Sequence, residues 1–148
     1  MKALHSLLQI ETRGRGFVDI TSRAEKIVAE SKIENGICAL FLRHTSASLV
    51  IQENADPAVL RDLQKWISRV APEAAPGSNL YEHDAEGPDD MPAHIRSAIT
   101  QSSETIPIVG GKLTLGTWQA IYVWEHRARS HTREVMIQII GVGAAAGA

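Results

Sequence analysis

The sequence predicts an α+β fold, one predominantly antiparallel sheet system with about three helices, on three observations. Apolar stripes at helical spacing recur in short segments of the first two thirds of the chain. The last third alternates at strand period around a Gly110-Gly111 turn. No linker, internal repeat or composition break divides the 148 residues, so they are expected to form a single domain, 1–148.

Taken in order, Leu4 to Glu11 reads as a strand closed by Arg13-Gly14-Arg15-Gly16, and Phe17 to Ile20 as a second, shorter one. Ser22 to Glu25 has capping-box spacing, and Ala24, Ile27 and Val28 give a helix its apolar stripe. Asn35-Gly36 is expected to end that helix. Ile37 to Leu42 is continuously apolar, which predicts a strand covered on both faces. Leu49 to Ile51 resumes the strand pattern. Asp56-Pro57 then places a cap and a first helical residue in the favoured order, ahead of Leu60, Leu63, Ile67 and Val70. Ala71-Pro72 stops this second helix. A third runs from Ala93 to Thr100, with Asp90 as its expected cap and Pro92 where a missing N–H costs nothing.

Glu104 to Val109 and Lys112 to Thr117 flank the two-glycine hairpin turn. Trp118 to Glu125 alternates as a strand with two distinct faces, and Glu134 to Ile140 is the last strand. The tail, 141–148, has nothing to pack against and is expected to fray.

Composition excludes several function classes. The chain is 44% hydrophobic and 22% charged with a net charge of −2, so no bulk field favours nucleic acid or a membrane surface. No apolar run approaches membrane-spanning length, and no signal-peptide core is present, which points to the cytoplasm. Cys38 is the only cysteine and lies in an apolar run, as a small buried hydrophobe would. No serine sits in a Gly-flanked elbow, and Gly14 and Gly16 lack the helix and lysine of a phosphate loop.

The chemistry concentrates between Tyr81 and Ile99. His83 and His94 share this stretch with Glu82, Asp84, Glu86, Asp89 and Asp90, around a Gly87-Pro88 break. Imidazole and carboxylate together hold divalent ions such as zinc or manganese, and they also move protons near neutral pH. Asp, Gly and Pro equally suit an ordinary surface turn, and acids favour a helix start.

Three further sets are candidates. His44, Thr45, Ser46 and Ser48 follow a buried strand, where hydroxyls beside a histidine suit an anion or phosphate; the same hydroxyls also suit turns that bond their own backbone. Glu53 and Asn54 close the next strand and are not explained by the Asp56 cap. Arg127, Arg129 and Arg133, with His126 and His131, can clamp a phosphate or simply form a solvated hairpin end.

The order His44-Thr45-Ser46-Ala47, Gln52 to Pro57, Tyr81 to Asp84 with Glu86-Gly87, Ala93-His94-Ile95, Ile106-Pro107 and Leu115 to Gln119 closely resembles the YjbQ-like family, often labelled secondary thiamine-phosphate synthase. The resemblance spans about Phe17 to Gly141. It implies an α+β domain with a β-sandwich-like sheet core, a homotrimer, and a polar pocket around His44, His83 and His94 that holds a divalent metal. Glu53, Asn54, Asp84 and Gln119 are the nearby candidates. This chain departs from the family in Gly87 to Pro92, where many members carry a shorter polar run.

Together these readings give a small metal-dependent enzyme acting on a phosphorylated metabolite, with thiamine-phosphate synthase activity as the implied reaction. His44, His83 and His94 hold zinc, magnesium or manganese. Glu53, Asp84 and Asn54 are the catalytic candidates, and Thr45, Ser46, Gln119 and Arg133 bind substrate. The alternative is a non-catalytic trimeric protein whose histidine pocket binds a metabolite or anion.

Overall fold

The computed structural model describes residues 1–145. The strands are β1 (Lys2–Glu11), β2 (Gly16–Asp19), β3 (Asn35–Leu42), β4 (Ala47–Glu53), β5 (Ser103–Val109), β6 (Lys112–Leu113), β7 (Gln119–Glu125) and β8 (Thr132–Val142). The helices are α1 (Thr21–Ser31), α2 (Pro57–Val70) and α3 (Asp90–Ile99). Five strands pair in the order β1-β8-β3-β5-β6 and three in the order β2-β7-β4. Every ladder is antiparallel.

The core lies between the two sheets. Alternation sends Leu8, Ile10, Cys38, Leu40, Leu42, Val135, Ile137 and Ile139 inward from the larger sheet, against Leu49, Ile121 and Val123 of the smaller one. Ala24 and Val28 of α1 join the same core. Burying this set removes most of its apolar area from water, at roughly 25 cal/mol per Å². Trp124 points away from the core, stacks on Phe17 with ring centroids 4.6 Å apart, and donates its Nε1–H to Gln64 of α2 at 2.9 Å. Arg96 of α3 donates to the carbonyl of Ala71, just beyond α2, while Ser97 donates to the carbonyl of Ala47. These bonds set α3 beside the start of β4.

Several expectations are corrected. β3 is covered on one face only: Ile37 is 49% and Phe41 51% exposed on the outer face of the larger sheet. That face also carries Ile140 and Val142, both 45% exposed. In contrast, β7 is buried on both faces from Ala120 to Glu125, between the core and the α2 side, and Trp118 stays outside it at 61% exposed. α1 uses no capping box. Ser22 is already helical, and Asp19 accepts the N–H of Thr21 instead.

α1 ends at Lys32, whose φ is 60°, and not at Asn35-Gly36. Gly36 serves the sheet: it pairs with Gly141, and a Cβ on it would lie 2.2 Å from the carbonyl oxygen of Ile140. Gly141 and Val142 therefore belong to β8 and are not frayed, while residues 146–148 of the expected tail lie outside the described residues. The strand expected over Lys112 to Thr117 is only Lys112–Leu113, since Thr114 turns back to the carbonyl of Pro107. The Gly110-Gly111 turn is as expected, with φ of 59° and 76°.

Candidate metal centre

α3 fixes the centre of the site. Asp90 and His94 are four residues apart and share one helix face. Asp90 is not the cap: Asp89 holds that position, and Asp90 sits inside the first turn with its side chain 2% exposed. The preceding loop, turned at Gly87 with φ of 108°, brings up His83 and Glu86. His83 Nε2 is 2.6 Å from Asp90 Oδ2 and 3.6 Å from Glu86 Oε2, and His94 Nε2 is 3.4 Å from Asp90 Oδ2.

One ligand atom from each of the four lies within 4.8 Å of the others, near the ~4 Å spread that ligands about 2.1 Å from one ion require. Two imidazoles and two carboxylates form a donor set of the kind zinc and manganese accept. The residues present fit a divalent ion.

Two details prepare the set. His94 Nδ1 is 2.8 Å from the carbonyl oxygen of Thr45. A carbonyl only accepts, so Nδ1 donates to it, which leaves Nε2 as the ring nitrogen facing Asp90. Exposure rises from Asp90 (2%) through His94 (30%) and His83 (48%) to Glu86 (66%), so the set is closed on one side and open to solvent on the other.

Arg127, in the β7–β8 connection, holds the back of the site. Its Nη1 is 2.8 Å from Asp90 Oδ1, its Nε donates to Asp89 at 2.9 Å, and its Nη2 donates to the carbonyl of Glu86 at 3.0 Å. Burial opposes ionisation of Asp90, but the hydrogen bond from His83 and the charges of His94 and Arg127 outweigh it. Its carboxyl therefore lies below the ordinary range and is ionised at neutral pH.

The other expected residues are placed as follows. His44 stands outside the four-ligand set: its Nε2 accepts the backbone N–H of Glu134 at 2.8 Å, and burial first, then Arg133, lowers its pKa. Thr45 contributes its carbonyl rather than its hydroxyl. Ser46 and Arg133 are buried together, with Arg133 donating to the Ser46 hydroxyl at 2.9 Å and its Nε to Glu125 at 2.8 Å. That guanidinium is 5% exposed, so it offers no fork to a phosphate.

Glu53 accepts the N–H of Asp56, and Gln119 accepts the N–H of Gly116. Glu53, Asn54 and Gln119 gather at the far end of the β4–β7 ladder, where Glu53 pairs with Gln119. The site end of that ladder is Ala47 opposite Glu125, roughly 20 Å away along seven residues. Asp84 is exposed beside His83 and lines an adjoining cleft.

Sequence reasoning took Asp90 for a cap rather than a candidate ligand, and missed Arg127 as its support and a second buried polar group. In that group Glu125 accepts from Arg133 and from Thr12, whose hydroxyl is 2.6 Å away; burial raises its pKa, these partners outweigh it, and the carboxyl lies low. Beside it His126, fully buried, bonds Ser48 through Nε2 at 2.9 Å, while Nδ1 has no partner among the described residues. Burial holds this imidazole at about 3.

The chain is similar over nearly its whole length to known proteins. Residues 6–142 match the family model described as UPF0047 protein YjbQ-like. The chain is 50% identical over 135 residues to UPF0047 protein sll1880 of Synechocystis, covering 91% of this chain and 90% of that one. It is 38% identical to YjbQ of Salmonella typhimurium, over 90% and 95% of the two chains. A crystal structure of an uncharacterised YjbQ/UPF0047 protein from Clostridium acetobutylicum is similar at 37% identity and a TM-score of 0.78, covering 93% and 99%. A YjbQ-like protein of unknown function from Sulfolobus solfataricus gives 26% and 0.80, covering 95% and 99%. With two antiparallel sheets and three helices among the described residues, and these relatives over nearly its whole length, the chain belongs to the YjbQ-like, UPF0047 family.

Proposed function

We propose that this protein is a small metal-dependent enzyme that acts on a phosphorylated metabolite. The observation that carries the metal is the convergence of His83, Glu86, Asp90 and His94, graded from buried to open. In this reading His83, Asp90 and His94 hold zinc or manganese; magnesium fits less well, because it prefers oxygen and water to two imidazoles. A bound ion would supply a Lewis acid and a water of lowered pKa. Glu86, the most exposed of the four, completes the shell or takes a proton from substrate, and the exposed Asp84 is a second candidate base. Thiamine-phosphate synthase activity is the finer form of this proposal and rests on the family label.

The homotrimer belongs to the same proposal. Its support is the uncovered sheet face bearing Ile37, Phe41, Ile140 and Val142, since an apolar patch of that kind marks an interaction surface. No described helix is long and apolar enough to cross a membrane. A single buried Cys38, its thiol pushed up to about 11 by burial, fits a reducing compartment, and we place the protein in the cytoplasm.

The test is elemental analysis of the untagged protein beside a His83→Ala/His94→Ala variant. About one ion per folded wild-type chain and none in the folded variant is the expected result, followed by turnover of a phosphorylated substrate that the variant lacks. Absence of metal from both after repletion overturns the proposal. A second reading, a non-catalytic metabolite-binding protein, is favoured by one observation: Arg127 and Arg133 are both engaged in ion pairs, which leaves neither free for a departing phosphate. Bound metal without turnover would select it.

A further inference from the structure

A cleft of about 450 Å³ opens beside the ligand set and shares His83 with it. That volume suits a small ligand. Its walls are mainly apolar: Pro76, Tyr81, Pro88 and Met91 line it, and the Tyr81 hydroxyl, donating to the carbonyl of Pro72 at 2.7 Å, fixes the ring in place. Two carboxylates line it as well. Glu73 is paired with Arg15, whereas Asp84 has no ion-pair partner among the described residues. No lysine or arginine lines the cleft, and its one basic side chain, His83, is turned to Asp90. A phosphate placed there would meet the Asp84 carboxylate, while the guanidinium beside the wall, Arg15, is already paired with Glu73, so the Coulomb term opposes it.

We infer that the cleft beside His83 receives a flat, amine-bearing ring with its positive end toward Asp84, and that the substrate's phosphate lies outside the cleft. The inference deepens the proposed function and rests on that reading only for what lies at the metal side. A planar ring set against the Tyr81, Pro76 and Met91 side of the lining gains apolar contact. A protonated amine at its edge gains the free Asp84 carboxylate. The cleft would therefore sort substrates by charge before the metal meets them.

Methionine makes the test direct, because the chain has three: Met91 in the cleft wall, Met136 in the larger sheet and Met1. With ¹³C-methyl methionine, benzylamine, benzyl alcohol and phenyl phosphate are titrated in turn, on the protein as purified and after chelation. Benzylamine is expected to shift Met91 saturably and bind at least about fivefold tighter than either of the others, leaving Met136 still. Asp84→Asn, a surface change, is expected to bring benzylamine down to the level of benzyl alcohol. Phenyl phosphate matching benzylamine on the chelated protein, or benzylamine leaving Met91 unmoved, overturns the inference. A phosphate effect that chelation removes belongs to the metal and leaves the cleft assignment standing. Metal content is read separately, so failure of the metal proposal and failure of this one are distinguishable.

Discussion

Arg127 holds Asp90 from behind: its Nη1 lies 2.8 Å from Oδ1, which leaves Oδ2 directed at the two histidines. The β7–β8 connection thus aims a candidate ligand that α3 carries. Arg127→Ala is expected to weaken zinc binding by about 10–100-fold, the usual cost of losing a partner behind a ligand. Arg127→Lys keeps the charge but loses the fork across Asp89 and Asp90, and should recover only part of the affinity. Calorimetric titration with zinc reads both variants; unchanged affinity in Arg127→Ala would show that Asp90 needs no such support.

His44 separates the family-implied ligand set from the candidate set that the structure brings together. Its Nε2 is occupied by the backbone of β8, so His44→Ala is expected to keep about one metal per chain while losing some stability. Elemental analysis and thermal unfolding on the same preparation check this. Loss of metal with full stability would return His44 to the ligand set.

His126 makes stability depend on pH. Its imidazole is lowered by burial from 6.5 to about 3, so between those values the unfolded chain binds a proton the native one refuses. Stability therefore falls as pH falls through that window, by at most about 1.4 kcal/mol per unit. Asp90 and Glu125 act in the same direction but lower: their depressed pKa values add stability above the ordinary carboxylate range, lost as pH falls through the native values. Urea unfolding between pH 6.5 and about 5 isolates the histidines. His126→Gln should flatten the slope, and the contribution of His44 cancels in the comparison. An unchanged slope would mean that His126 gains a proton in the native state.

Glu125 and Arg133 form a buried pair, so removing one partner should cost more than the pair contributes. Glu125→Ala is expected to destabilise by about 3–5 kcal/mol in urea unfolding, and Glu125→Gln by less. A loss under about 1 kcal/mol would show that water reaches Arg133.

Phe41 tests the open sheet face. Phe41→Glu should leave the fold intact and lower the mass seen by light scattering to that of a single chain. A wild-type mass already equal to one chain would exclude self-association at that concentration.

The strands and helices were legible because each carries its own period, and the ligand loop because a fold does not need so many imidazoles and carboxylates in one turn. What stayed hidden has physical causes. Aspartate at a helix start is the residue of choice both for a cap and for a ligand, so Asp90 could not be told from Asp89 without their geometry. Arg127 reaches the loop through tertiary folding, which no local spacing encodes. Glu53, Asn54 and Gln119 are polar at a strand end, but the sequence does not reveal which of two ends faces the histidines. The continuous run of β3 predicted two covered faces, whereas one is left bare in the single chain.

The larger sheet also dictates when this protein can fold during synthesis. β8 pairs with β1 on one side and β3 on the other, so the first long strand made waits for the last. Until Thr132–Val142 clears the ribosome, Leu8, Ile10, Cys38 and Leu40 lack the strand that joins them. The nascent chain therefore carries unpaired strand edges for most of its translation, a state that invites chaperone binding and penalises crowded expression.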